Sequence, residues 1–173
     1  IPERHRDVFP PDPVSGLGAI MDATKADLAA ARMEQGFNCA QAVLGAFAAD
    51  FGLDQDTAMR LASPFGGGMG RTAGTCGAVS GALMVLGLKH GMSRPEDTQA
   101  KERAYALAAE LIRRFEDRRG TVVCRELLGR DISTPDGLAG ARQEGLFAST
   151  CPVFVRTAAE LVAALLEESE SGA

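Results

Sequence analysis

Along most of the chain the apolar positions recur every three or four residues, the period of a helix. The interruptions are glycines, prolines and short polar caps. The first periodic segment runs roughly from Ile20 to Gln35, with Ile20, Met21, Leu28 and Met33 among its apolar positions and Gly36 as its stop. From Phe37 to Phe51 a second helix is predicted. Asn38 is a good N-cap, Gln41 completes a capping box three residues on, and Ala42, Val43, Ala46, Phe47 and Phe51 supply the apolar face. Cys39 then falls at the first helical position, and Gly52 ends the helix. A short helix starts at Asp54 or Asp56 and runs to about Ser63, before Pro64.

After a glycine-rich loop, Phe65 to Gly74, Thr75 is predicted to cap a helix that Cys76 opens. Lys89-His90-Gly91 closes it, basic residues in the last turn followed by glycine. The longest helix begins around Ser93-Arg94-Pro95 and carries Ala104, Leu107, Ala108, Leu111, Ile112 and Phe115 up to Arg119-Gly120. Thr121 is predicted to cap a brief helix that ends at Gly129 and holds Cys124 at its third position. Residues 131–149 contain Thr134-Pro135-Asp136-Gly137, Gly140 and Gly145, and read as turns with little regular structure. The last helix opens at Thr150-Cys151-Pro152 with Thr150 as its cap. It passes through Leu161, Val162 and Leu165 into an acidic tail, Glu167-Glu168-Ser169-Glu170, that is expected to fray. Ahead of all these, Ile1 to about Gly18 holds Pro2, Pro10, Pro11 and Pro13 and reads as an extended arm. The pattern predicts an all-α fold: a compact bundle of six or seven helices, with residues 1–18 as the arm and 19–173 as a single helical domain.

Composition supports that class and narrows the partners. The 173 residues suffice for one domain with a core of its own, 46% are hydrophobic, and aromatic residues are scarce, which favours helices over strands. The net charge of −5, with no long basic run, argues against nucleic-acid binding. The longest apolar stretch, Ala78 to Leu88, is too short to span a bilayer. Ile1-Pro2-Glu3-Arg4-His5-Arg6 has no apolar core of a signal peptide, so the expected location is cytoplasmic, or periplasmic if an export signal has been removed. A homodimer sharing helical faces is compatible with this composition.

The chemistry lies in four cysteines, Cys39, Cys76, Cys124 and Cys151. An even count permits two disulfides, one four-thiolate metal site, or buried thiols, and no CxxC pair chooses among them. Each cysteine falls in the first turn of a predicted helix, behind Asn38, Thr75, Thr121 or Thr150. Unpaired amides and the helix dipole favour a thiolate there, and thiolates are what a metal or an iron–sulfur cluster requires of its ligands. Arg71, Thr75 and Gly77 are expected to support the site.

These residues also carry a family resemblance. Phe37-Asn38-Cys39-Ala40-Gln41-Ala42-Val43, then Phe65-Gly66-Gly67-Gly68-Met69-Gly70-Arg71, then Cys76-Gly77-Ala78-Val79-Ser80-Gly81 and the single Cys124 and Cys151 resemble the C-GCAxxG-C-C family, over roughly residues 20 to 165. Its members are inferred to be prokaryotic redox proteins, some with export signals suggestive of a prosthetic group, and a related domain occurs in split-Soret-type cytochromes. The resemblance implies redox or metal chemistry at the four cysteines and supplies no substrate. A c-type haem is not supported, because no CxxCH is present.

The leading expectation is an electron-transfer or redox protein, a component of an oxidoreductase, that binds an iron–sulfur cluster or another thiophilic metal through all four cysteines and serves a redox partner of unknown identity. The alternatives are a metal-free thiol–disulfide oxidoreductase with Cys76 as nucleophile, and a helical structural module with inert cysteines. The loop Gly66 to Arg71 could expose amides to an anion with Arg71 assisting, but it matches neither a P-loop nor a dinucleotide fingerprint. Its glycines read better as places of close backbone approach.

Overall fold

Eight helices of five residues or more, and no β-strand, make up residues 23–171, the part of the chain described in a computed structural model. They are α1 (Lys25–Glu34), α2 (Cys39–Phe47), α3 (Gln55–Ala62), α4 (Gly77–His90), α5 (Thr98–Arg119), α6 (Cys124–Leu128), α7 (Pro135–Gln143) and α8 (Cys151–Ser171). The expected all-α class is observed. The proposed N-terminal arm and residues 20–22 of the first expected helix lie outside the described residues; α1 itself starts at Lys25, because Thr24 is extended and caps it.

Local polar chemistry sets most of the helix starts. Thr24 and Asp27 exchange hydrogen bonds as a capping box at α1. At α2, Asn38 Oδ1 accepts the amides of Ala40 and Gln41 at 3.0 and 3.1 Å, and Gln41 Oε1 accepts the Asn38 amide at 3.1 Å. The α-helix stops at Phe47 and tightens into a 3₁₀ turn, Ala48–Phe51, before Gly52 leaves it with φ 65°. Asp54 caps α3 by accepting the Thr57 amide at 2.9 Å.

The centre of the bundle is α4, whose first half, from Gly77 to Ala82, is buried on every side between α2, α5 and α8. Glycine permits that crowding. A Cβ added at Gly81 would lie 2.7 Å from the Ala40 carbonyl oxygen, and one at Gly77 would lie 2.9 Å from the Phe65 carbonyl oxygen and 3.3 Å from Cys39 Cβ. The four-residue spacing of these two glycines puts both on one face of α4, and α2 crosses there with its N-terminus against the start of α4. Around this crossing Val43, Leu44, Phe47, Val79, Leu86 and Phe115 form a fully buried core, each side chain worth about 1.5–3 kcal/mol of burial.

Four further boundaries differ from expectation. α5 starts at Thr98, capped by Asp97 accepting the Ala100 amide at 3.0 Å, because Pro95 precedes the helix and does not open it. The supposed turn region 131–149 contains α7, which Thr134 caps and Pro135 opens; Gly137 and Gly140 had lowered its helical signal. Leu146–Ser149 adds a further turn. The acidic tail does not fray before Ser171, since Glu168 pairs with Arg114 at 2.8 Å and Glu170 with Lys89 at 2.7 Å. Leu146–Ser171 is long and apolar enough to cross a membrane by length and composition alone; half of its apolar window is buried inside the bundle, as in a core helix.

Candidate functional site

The four cysteine-bearing segments converge at one end of the bundle. Cys39 is the first residue of α2, Cys124 the first of α6 and Cys151 the first of α8, while Cys76 is itself the N-cap of α4. Three expected caps are therefore displaced. Thr75 does not cap α4, because it pairs with Val123 in an isolated antiparallel bridge. Thr121 accepts the Val123 amide at 3.1 Å and donates to Glu126, which moves Cys124 from the third helical position to the first. Thr150 has helical dihedrals and joins the Leu146–Ser149 turn to α8, so Cys151 follows a turn of helix and not a free helix start.

The bridge ties two of the cysteines together through the backbone. The Cys76 amide donates to the Val122 carbonyl at 2.8 Å and the Cys124 amide donates to the Gly74 carbonyl at 2.6 Å. Below it the glycine-rich segment is a left-handed turn: Gly67, Gly68, Met69, Gly70 and Arg71 all have φ between 62° and 68°. Met69 and Arg71 each carry a strain of about 1–2 kcal/mol in that conformation. Gly68 packs directly on the site, since a Cβ there would fall 2.9 Å from Cys124 Cβ and 2.6 Å from the Gly74 nitrogen.

All four cysteines line a single cavity of about 560 Å³. Cys76 belongs to the main core, Cys124 and Cys151 to a second apolar cluster with Ile132 and Ala141, and Cys39 touches both. Arg71 and Gly77 also line the cavity, whereas Thr75 stands beside it in the bridge. The cavity has walls that the sequence did not single out, among them Arg142 of α7 and Phe147. The signal for α7 was present in Thr134-Pro135-Asp136, a capped helix start that carries Arg142 toward the site. His90 stays far down α4, 3.0 Å from Ser169.

The thiols surround the space without closing on one point. Among the described residues, no three His, Cys, Asp or Glu side chains are gathered tightly enough to hold a single metal ion. They are nevertheless close enough to govern one another's ionisation. The Cys39 thiol donates to Cys151, which holds its own proton tightly and pulls the Cys151 pKa down; burial and the other three sulfurs push Cys39 further up. Burial raises Cys76 to about 11 and Cys124 to about 12. The amides of Ala78 and Val79 pull in the opposite direction at Cys76 without forming a cap hydrogen bond of good geometry. The expectation of thiolates made anionic by helix starts is thus reversed for three of the four in the metal-free chain: desolvation outweighs the dipole. Cys76, expected as the nucleophile, is among the thiols that burial raises, while Cys151 is lowered beside Cys39.

The donor set suits a soft, multi-atom group. Four sulfurs are the ligands of iron–sulfur clusters and thiophilic ions, and the volume falls in the range of about 300–1,000 Å³ usual for ligand and cofactor pockets, larger than one bare ion needs. Residues 37–165 match a family model described as "Putative redox-active protein (C_GCAxxG_C_C)". No curated protein and no solved structure matches the chain.

Proposed function

Because the chain belongs to the C_GCAxxG_C_C family of redox-active proteins, we propose that it is a redox protein whose Cys39, Cys76, Cys124 and Cys151 jointly hold an iron–sulfur cluster or another thiophilic metal. The observation that carries this reading is the cavity itself: four distant points of the chain deliver sulfur to one space. An iron–sulfur cluster or another redox-active metal, when bound there, would supply one-electron chemistry. The protein's own part is to assemble and hold the ligands. Gly77 and Gly81 let α2 and α4 approach, the Thr75–Val123 bridge fixes Cys76 to Cys124, and the Ala78 and Val79 amides favour the Cys76 thiolate. Raised thiol pKa values make binding proton-coupled, since each ligand releases a proton as it is taken up.

The nearness of the Cys39 and Cys151 thiols, each of which shifts the other's ionisation, supports a second reading, a thiol–disulfide oxidoreductase in which these two form the working pair. Elemental analysis of protein purified without air separates the two. Bound iron with acid-labile sulfide, or another thiophilic metal, at a fixed ratio to the chain is the result expected for the cofactor. Metal-free protein that forms a reversible Cys39–Cys151 disulfide favours the second reading. Metal-free protein with four unreactive thiols rejects both and leaves a helical module with inert cysteines.

A further inference from the structure

The charge of the cavity wall is opposite to that of the protein. The chain has a net charge of −5, yet among the described residues no carboxylate lines the cavity, while two arginines, Arg71 and Arg142, do. They come from separate elements, the left-handed turn and α7. Many other arginines of the described bundle are committed: Arg113 and Arg114 to Glu110, Arg118 to Glu160, Arg130 to Glu144, Arg156 to Asp27. The side chains of Arg71 and Arg142 take part in no hydrogen bond or ion pair among the described residues. Arg71 is held at the cavity by a backbone conformation that is strained for a residue with a side chain, and a strained residue at a pocket is a mark of use. The remainder of the lining is mostly apolar, with Phe37, Ile132, Leu138 and Phe147 around the sulfurs.

Two uncommitted cations at the rim of a largely apolar cleft attract a molecule with an anionic end and an apolar body. We propose that this cavity binds a small organic carboxylate, its charge held between Arg71 and Arg142 and its body directed toward the cysteines. The ligand's role as a redox substrate rests on the function proposed above; the binding does not.

The test uses the reduced, metal-free full chain and two alkylating reagents that differ only in charge, iodoacetate and iodoacetamide. Each forms a carbon–sulfur bond to a cysteine thiolate and releases iodide, so the ratio of their rates reads how the cavity treats an anion. Normalised to the same ratio in the urea-unfolded chain, the native ratio is expected to favour iodoacetate about tenfold, at the low end of what charged clefts achieve. Arg71→Gln with Arg142→Gln is expected to remove that preference, and lysine at both positions to restore it. A native ratio equal to the unfolded one overturns the proposal. If the double variant does not fold, unreactive propionate decides with the native chain: protection of the thiols by propionate but not by neutral propionamide, at matched ionic strength, supports the site, and equal protection by the two refutes it. None of these readings depends on the metal content, so a failure here is distinct from a failure of the cofactor assignment.

Discussion

Thr75 and Val123 pair as an isolated antiparallel bridge, the single such point among the described residues, and each lies one residue before a cysteine of the site. The pairing buries the amides of Cys76 and Cys124 in hydrogen bonds of 2.8 and 2.6 Å to Val122 and Gly74. These two amides should therefore exchange with solvent at least ~100-fold more slowly than unprotected loop amides, as positions that open only with substantial local unfolding. Hydrogen exchange followed by NMR checks this. Fast exchange at either residue would mean that the bridge does not hold the two ligand segments together.

The α2–α4 crossing allows a matched pair of substitutions in one helix. A Cβ at Gly81 meets the Ala40 carbonyl oxygen at 2.7 Å, whereas one at Gly87 meets nothing within 4 Å. Gly87→Ala should stabilise the protein by about 0.4–1 kcal/mol through helix propensity and chain entropy. Gly81→Ala gains the same propensity but overpacks backbone, and a net loss of about 1–3 kcal/mol is expected. Denaturant midpoints for the two variants check the pair, and equal effects would remove the close approach as the reason for the glycine.

Strain in the left-handed turn predicts a gain. Met69 is 45% exposed and has φ 64°. Met69→Gly should relieve about 1 kcal/mol of backbone strain with little loss of packing. A thermal melt that falls instead of rising would show that the turn is not strained in solution.

The thiols predict an alkaline limit for the metal-free chain. Folding raises Cys76 from 9.0 to about 11 and Cys124 from 9.0 to about 12. A group raised in this way contributes its stability below its unfolded pKa and loses it as pH climbs through the folded value. Stability should fall between about pH 9 and 12, by roughly 3 kcal/mol through Cys76 at about 1.4 kcal/mol per pKa unit. Urea unfolding at pH 8.5 and pH 11 measures it, and Cys76→Ser should flatten the dependence. A slope indifferent to that substitution would contradict the burial of a neutral thiol.

What the sequence made legible was local. The Asn38–Gln41 box, the Asp54 cap, and glycine stops such as Gly52 and Gly120 are chemistry between near neighbours, and they appear where expected. The placement of all four cysteines near helix starts was legible for the same reason. Thr75 was misread because its partner, Val123, lies on another segment, and α7 because two glycines masked a capped start. The direction of the thiol shifts could not be read locally at all. The dipole of a helix end follows from sequence, but desolvation and the repulsion among four sulfurs exist only once the chain has folded around the cavity.

The central claim is that the four cysteines act as one ligand set. Its most direct measurement is the cofactor content of the anaerobically purified protein beside Cys39→Ser, Cys76→Ser, Cys124→Ser and Cys151→Ser, each checked for folding by circular dichroism. Loss of most bound metal in all four folded variants is the predicted result. Full retention in any one of them would show that this cysteine is not a ligand and would contradict the shared site.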